Sequence, residues 1–212
     1  MNNPAAPAHT PAFEAEINSF FSAINCGNAE AVRQFLDKYP SAIEETDNYG
    51  ATALVQAAIA GVKETVSLLL ERGASVDAEC RNGVTALMWC AEAGHNEIIA
   101  LLLEKGADVN HRDDIGETAL MMAALNEEKE TVELLLEKGA DAGIKDREGQ
   151  TALMIAQEME DDETVTVLQR WHRKQEQVKE RQKFMQETDC SSGLKHDLPA
   201  THPLKLPPRP RI

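Results

Sequence analysis

The chain has 212 residues, 42% hydrophobic and 27% charged, with a formal net charge of −15. That length suits one domain with tails, and the acidic balance argues against a nucleic-acid binder while welcoming a basic partner surface. No apolar run approaches the ~20 residues of a membrane helix, and MNNPAAPAHTPAFEAE has neither the basic start nor the apolar stretch of a secretion signal, so a cytoplasmic protein without membrane contact is expected.

In chain order, residues 1–12 read as a disordered N-terminus. Residues 13–46 carry Val32, Phe35 and Leu36 at helical spacing after Gly27, but Tyr39 and Pro40 stand where later stretches have Gly-Ala, and one residue is inserted before Asp47. This is a degenerate first unit. The chain then repeats itself over 47–79, 80–112, 113–145 and a shortened 146–171. Gly50, Gly83, Gly116 and Gly149 mark a period of thirty-three residues, each leading within two residues into Thr-Ala-Leu. A constant period of this length means stacked units rather than one closed core.

Each unit holds two amphipathic segments. Leu54, Ala57 and Ala58 fall at i, i+3 and i+4, as do Val66, Leu69 and Leu70 after Gly61, which predicts two short helices with one apolar stripe each. Isolated helices below ~12 residues are marginal in water, so the stripes require burial against neighbouring units. Thr52, Thr85, Thr118 and Thr151 are placed to cap the first helix. Glu64, Glu97, Glu130 and Glu163 recur near the start of the second, where the helix dipole favours negative charge. Gly73, Gly106 and Gly139 stop it in the left-handed conformation, and the Asp, Asn and Gly content that follows, as in ADVNHRDDIG, predicts a tight turn.

The motifs G-x-T-A-L, A-A-x-x-G and L-L-L-E-K-G-A-D in this spacing resemble those of the ankyrin repeat family, over residues 13–171. The resemblance implies an all-α ankyrin-repeat solenoid of stacked helix-turn-helix units with protruding β-turn fingers, and members that mostly bind other proteins. Some positions depart from the family pattern. The histidine that ties neighbouring repeats is replaced by Val55, Met88, Met121 and Met154, so apolar packing is expected to supply the link, with these residues and Trp89 in the core. Glu127 and Glu160 replace the interhelical Gly61 and Gly94, with Asn126 expected to take the left-handed conformation in the third repeat. Gln169 replaces the leucine of Leu70, Leu103 and Leu136, as befits a closing cap.

Beyond Trp171 the composition shifts. Residues 172–212 hold nine Lys and Arg against five Asp and Glu, net +4, whereas residues 1–171 hold twelve against thirty-one, net −19. Residues 172–187 read as a charged helical extension and 188–212, with Pro203, Pro207, Pro208 and Pro210, as a disordered tail. The cysteines at 26, 80, 90 and 190 show no C-x-x-C spacing, and Cys90, in a column of alanines, reads as a reduced core thiol. H-E-x-x-H, G-x-S-x-G and glycine-rich phosphate loops are missing, so no enzyme, cofactor or metal is expected.

When a framework is repeated, the positions that vary in register are free to meet a partner. Before the turn glycine stand Tyr49, Asn82, Ile115 and Glu148; after it stand Ala51, Val84, Glu117 and Gln150. The column at the end of the first helix is Ile59, Glu92, Leu125 and Glu158. In the family both sets line the concave face. Tyr49, Ile59, Ile115 and Leu125 would form an apolar centre rimmed by Glu92, Glu117, Glu148 and Glu158, the usual anatomy of a binding site. The expected function is a protein-protein interaction module, an adaptor or regulatory subunit, monomeric, whose partner protein sets an apolar anchor in basic surroundings. The alternative is a small enzyme or metal binder using Glu127, Glu128 and Glu130 or Asp161, Asp162 and Glu163. Those carboxylates fall at the start of the second helix, where a solvated, dipole-favoured face already explains them.

Overall fold

The computed structural model describes the backbone of residues 11–191 and the side chains of residues 12–183. Ten helices follow one another among the described residues: α1 (Pro11–Asn25), α2 (Ala29–Lys38), α3 (Ala53–Ile59), α4 (Lys63–Glu71), α5 (Ala86–Glu92), α6 (Asn96–Glu104), α7 (Ala119–Leu125), α8 (Lys129–Glu137), α9 (Ala152–Glu158) and α10 (Asp162–Ser191). The only β structure among these residues is two isolated bridges, Thr46 with Thr52 and Glu79 with Thr85, which close the bases of the first two fingers.

The helices pair as α1–α2, α3–α4, α5–α6 and α7–α8, and each pair packs on the next, with α1, α3, α5, α7 and α9 in one layer and α2, α4, α6 and α8 in the other. One continuous apolar core runs through the stack. Leu54, Leu87 and Leu120 of the inner layer and Leu69, Leu102 and Leu135 of the outer layer are all at most 1% exposed. Stacking is therefore the only way these seven- to nine-residue helices hide their stripes.

The termini follow the local chemistry with three exceptions. Thr52, Thr118 and Thr151 accept hydrogen bonds from the amides of Val55, Met121 and Met154 at 3.4 Å. Thr85 does not: its buried hydroxyl has no partner and α5 starts without a side-chain cap. In the third repeat the left-handed residue is Glu127 itself (φ 59), in register with Gly61 (φ 68), while the neighbouring Asn126 stays at φ −99. Glu160 (φ 58) repeats this in the fourth. The helix-to-helix turn thus keeps its geometry and imposes it on glutamate.

The methionine column is core only where another repeat covers it. Val55, Met88 and Met121 are 0–1% exposed, but Met154 is 50% exposed because α9 belongs to the last repeat among the described residues. Trp89 is partly buried against the core. The link between repeats is also not purely apolar. Glu44, Asp77 and Asn110, each thirty-three residues apart, accept hydrogen bonds from the amides of Ser75, Asp108 and Asp141 at 2.7, 3.1 and 2.8 Å, a ladder running from repeat to repeat. On the outer layer, Thr131 donates to Asn96 at 2.9 Å, and Lys63 and Lys129 pair with Glu97 and Glu163 at 2.8 and 3.1 Å.

The first unit is closed by aromatic side chains. Phe20 stacks on Phe35 at 4.3 Å, and Tyr39 meets both Phe35 and Phe13. Tyr39 and Pro40 end α2 and start a short 3₁₀ turn, Pro40–Glu44, in place of a glycine stop. The helix α1 begins at Pro11, two residues before the expected boundary at 13, because proline is well suited to a first helical turn.

By internal contacts the chain forms two units, residues 1–172 and 173–212. The helix α10 runs through residues 172–187 and on to Ser191, so residues 188–191 are helical rather than part of the tail, with neither Pro nor Gly to interrupt the run. Residues 1–10 and the proline-rich 192–212 lie outside the described residues.

Candidate functional site

Three of the four fingers are turns held by the side chain of their first residue. Asp47 Oδ1 accepts from the amides of Tyr49 and Ala51 at 2.8 and 2.9 Å, Asp113 Oδ1 from Ile115 and Glu117 at 3.0 and 2.8 Å, and Asp146 Oδ1 from Glu148 and Gln150 at 2.9 and 2.8 Å. A short carboxylate satisfying two backbone donors is the side-chain turn that aspartate favours. In the second finger the register position is Cys80, which offers no carboxylate. Asn82 instead adopts φ 67, and the Trp89 indole donates to Cys80 Sγ at 3.4 Å, where the first repeat has Gln56 donating to Asp47.

The fingers are also tied to one another. Arg81 donates to the Asn48 carbonyl at 2.8 Å and lies over the Tyr49 ring, 5.8 Å from its centroid. Arg112 donates to the Lys145 carbonyl at 2.8 Å, His111 Nε2 lies 3.0 Å from the Gly83 carbonyl oxygen, and the amides of Asp114 and Arg147 bond the carbonyls of Asn82 and Ile115. These contacts need a bare backbone: a Cβ at Gly83 or Gly116 would stand 3.2 Å from the amide nitrogen of Asp114 or Arg147 in the next finger. Sequence reading passed over Arg81 and Arg112. The signal was available in the spacing, since each arginine is thirty-three residues from the carbonyl it bonds.

On this frame the candidate residues divide by exposure. Tyr49, Ile115, Leu125 and Ile59 are 70, 53, 44 and 42% exposed, four of the seven large apolar side chains left open among the described residues. Asn82, Glu148 and Glu158 are exposed, and Glu92, Glu117 and Gln150 half-buried. Ala51 and Val84 are not available as contact side chains. They are 4 and 8% exposed and belong to the core, because an apolar residue after the turn glycine tucks inward where the polar Glu117 and Gln150 stay partly out.

Charge converges on Glu117. Burial first, then the carboxylates of Asp113, Asp146, Glu148 and Glu92, push its carboxyl above the usual range. Gln150 donates to Glu158 at 2.9 Å, joining the fourth finger to the end of α9. Away from this face, burial pushes the Cys90 thiol up to about 12, leaving a protonated core thiol. Among the described residues no group of three or more His, Cys, Asp or Glu is arranged to hold a metal ion, and no helix is long and apolar enough to cross a membrane.

A stack of helix pairs with one ordered row of fingers beside its inner helices defines a repeat solenoid. The sequence model for ankyrin repeats (three copies) matches residues 20–113 and 109–179, and the chain belongs to the ankyrin repeat family. It is similar to Inversin of Gallus gallus, 48% identical over 61 residues, which is 28% of this chain and 6% of that protein, so the chain spans a small fraction of the length of the curated relative it matches. Ankyrin repeats are generally protein-protein interaction modules, and the family is typically non-enzymatic.

Proposed function

We propose that this protein is an adaptor or regulatory subunit that binds a partner protein across its fingers and inner helices, through the open apolar side chains of Tyr49, Ile59, Ile115 and Leu125. The observation that carries the reading is their placement. In a stack whose other inner-layer apolar columns are buried or half-buried in every repeat but the last, where Met154 is open, these four stay exposed at variable positions of the first and third repeats. Glu92, Glu117, Glu148 and Glu158 share that face, so the partner sets an apolar anchor in a basic surface, a core-and-rim arrangement. A monomer working in the cytoplasm is the setting this reading assumes.

The test is capture of a partner from native extract by the full chain, followed by titration against variants. Tyr49→Ala or Ile115→Ala is expected to weaken binding by ~2 kcal/mol or more, a hot-spot-sized loss, with the melting temperature little changed. Undiminished affinity in the Tyr49/Ile115/Leu125 triple alanine variant, melting normally, would remove this face from consideration.

A further inference from the structure

We infer that the finger face is polarised and takes a Lys/Arg-bearing segment in one direction, its apolar end over the first repeat and its cationic end over the third and fourth. This rests on the reading proposed above and adds the chemistry and orientation of the occupant. At the first repeat the open side chains are Tyr49 and Ile59; the Arg81 guanidinium lies over the Tyr49 ring, and the Asp47 carboxylate is taken up by the amides of Tyr49 and Ala51 and by Gln56. A cation there meets a like charge. At the other end the corresponding positions are Glu148 and Glu158, both exposed, with the half-buried Glu117 on the third finger. Ile115 and Leu125 lie between the two ends and continue the apolar strip into the acidic half.

The carboxylates at the acidic end act as a group. Those of Asp113, Asp146 and Glu148, joined by Glu92 at the end of α5 in the second repeat, bear on Glu117 and, after burial, hold its proton more tightly. A partner ammonium or guanidinium placed among them would relieve that repulsion, whereas at the first repeat the columns of Glu148, Glu117 and Glu158 hold Tyr49, Ala51 and Ile59, and only Asp47, in register with Asp113 and Asp146, is a carboxylate. Complementary charge of this kind sets orientation and suppresses wrong registers more than it adds raw affinity. Packed helices lie about 8–10 Å apart, so the first and fourth repeats are separated by roughly 24–30 Å, wide enough for the two directions to be told apart.

Random peptides displayed on phage and panned against the full-length chain supply the probe. Enriched peptides are expected to join a large apolar residue to Lys or Arg, and to lose about tenfold or more in affinity against Glu148→Lys, a reversal at an exposed fingertip. Glu117→Gln should weaken them less, and both variants are checked by melting. A nitroxide at the cationic end of the peptide should broaden the amide signal of Gly149 and spare that of Gly50. Enrichment of acidic peptides, affinity within about threefold after charge reversal, or broadening at Gly50 would each overturn the inference. Peptides lost on Ile115→Ser and Leu125→Ser but indifferent to charge reversal would sink the polarity and leave the binding face standing. Peptides indifferent to both, or no enrichment, would count against both.

Discussion

At the scale of single residues, the second finger shows what one substitution in a repeated framework does. Asp47, Asp113 and Asp146 each hold two fingertip amides, and Cys80 in the same register cannot. Cys80→Asp should therefore stabilise the protein by about 0.5–1.5 kcal/mol, the net worth of an added hydrogen bond, with the Trp89 indole as a further donor. Urea melts compare the variant with the parent, and no gain would mean that the Asn82 turn already satisfies the finger by other means. Glu117 provides the opposite case, a residue whose charge the fold disfavours. Its carboxyl is raised by burial and by neighbouring carboxylates, so its contribution to stability is present at acidic pH and is lost as pH rises through the raised value. Glu117→Gln should accordingly melt higher than the parent near neutral pH, and the difference should shrink as the pH falls through the carboxylate range. A difference independent of pH would mean that the neighbouring carboxylates do not govern this site.

At the scale of elements, the turn between paired helices demands a left-handed residue whatever the sequence supplies. Gly61 and Gly94 meet the demand without strain at φ 68 and 69, and a Cβ at Gly61 would stand 2.7 Å from the His95 ring. Glu127 and Glu160 meet it at φ 59 and 58 with a side chain attached. Non-glycine residues pay about 1 kcal/mol or more for this conformation. Glu127→Gly is thus expected to stabilise by up to about 1 kcal/mol, less the entropy that glycine adds to the unfolded chain. Thermal melts of Glu127→Gly and Glu127→Ala decide the matter: the glycine variant should exceed the alanine variant, and equal melting would mean that backbone strain is absent there.

At the scale of the molecule, stability belongs to the interfaces between repeats. Leu102 is fully buried in the central outer layer, in a column with Leu69 and Leu135. Leu102→Ala should cost ~2–5 kcal/mol through the cavity it opens. In a stack coupled by nearest-neighbour interfaces, damage at the centre weakens cooperativity on both sides. Tryptophan fluorescence and helical circular dichroism of the variant in urea should therefore separate into non-coincident transitions. A sub-kilocalorie effect with coincident transitions would contradict this account of the core.

The amino-acid sequence alone determined what is periodic and local. The thirty-three-residue register, the two helices per unit, the glycine stops and the threonine caps at 52, 118 and 151 all depend on interactions within a few residues, repeated often enough to be read. It also marked Tyr49, Ile59, Ile115 and Leu125 as the apolar variables of the framework. Tertiary structure decided what depends on having, or lacking, a neighbour. Met88 and Met154 occupy one column and the same place on their helices, yet one is fully buried and the other half open, because burial in a stack requires a repeat on both sides. Ala51 and Val84 turn inward while Glu117 remains half out, a choice between core and solvent that chain spacing does not encode. The bonds of Arg81 to Asn48 and Arg112 to Lys145 join residues a full repeat apart, so they exist only once stacking has set the fingers side by side.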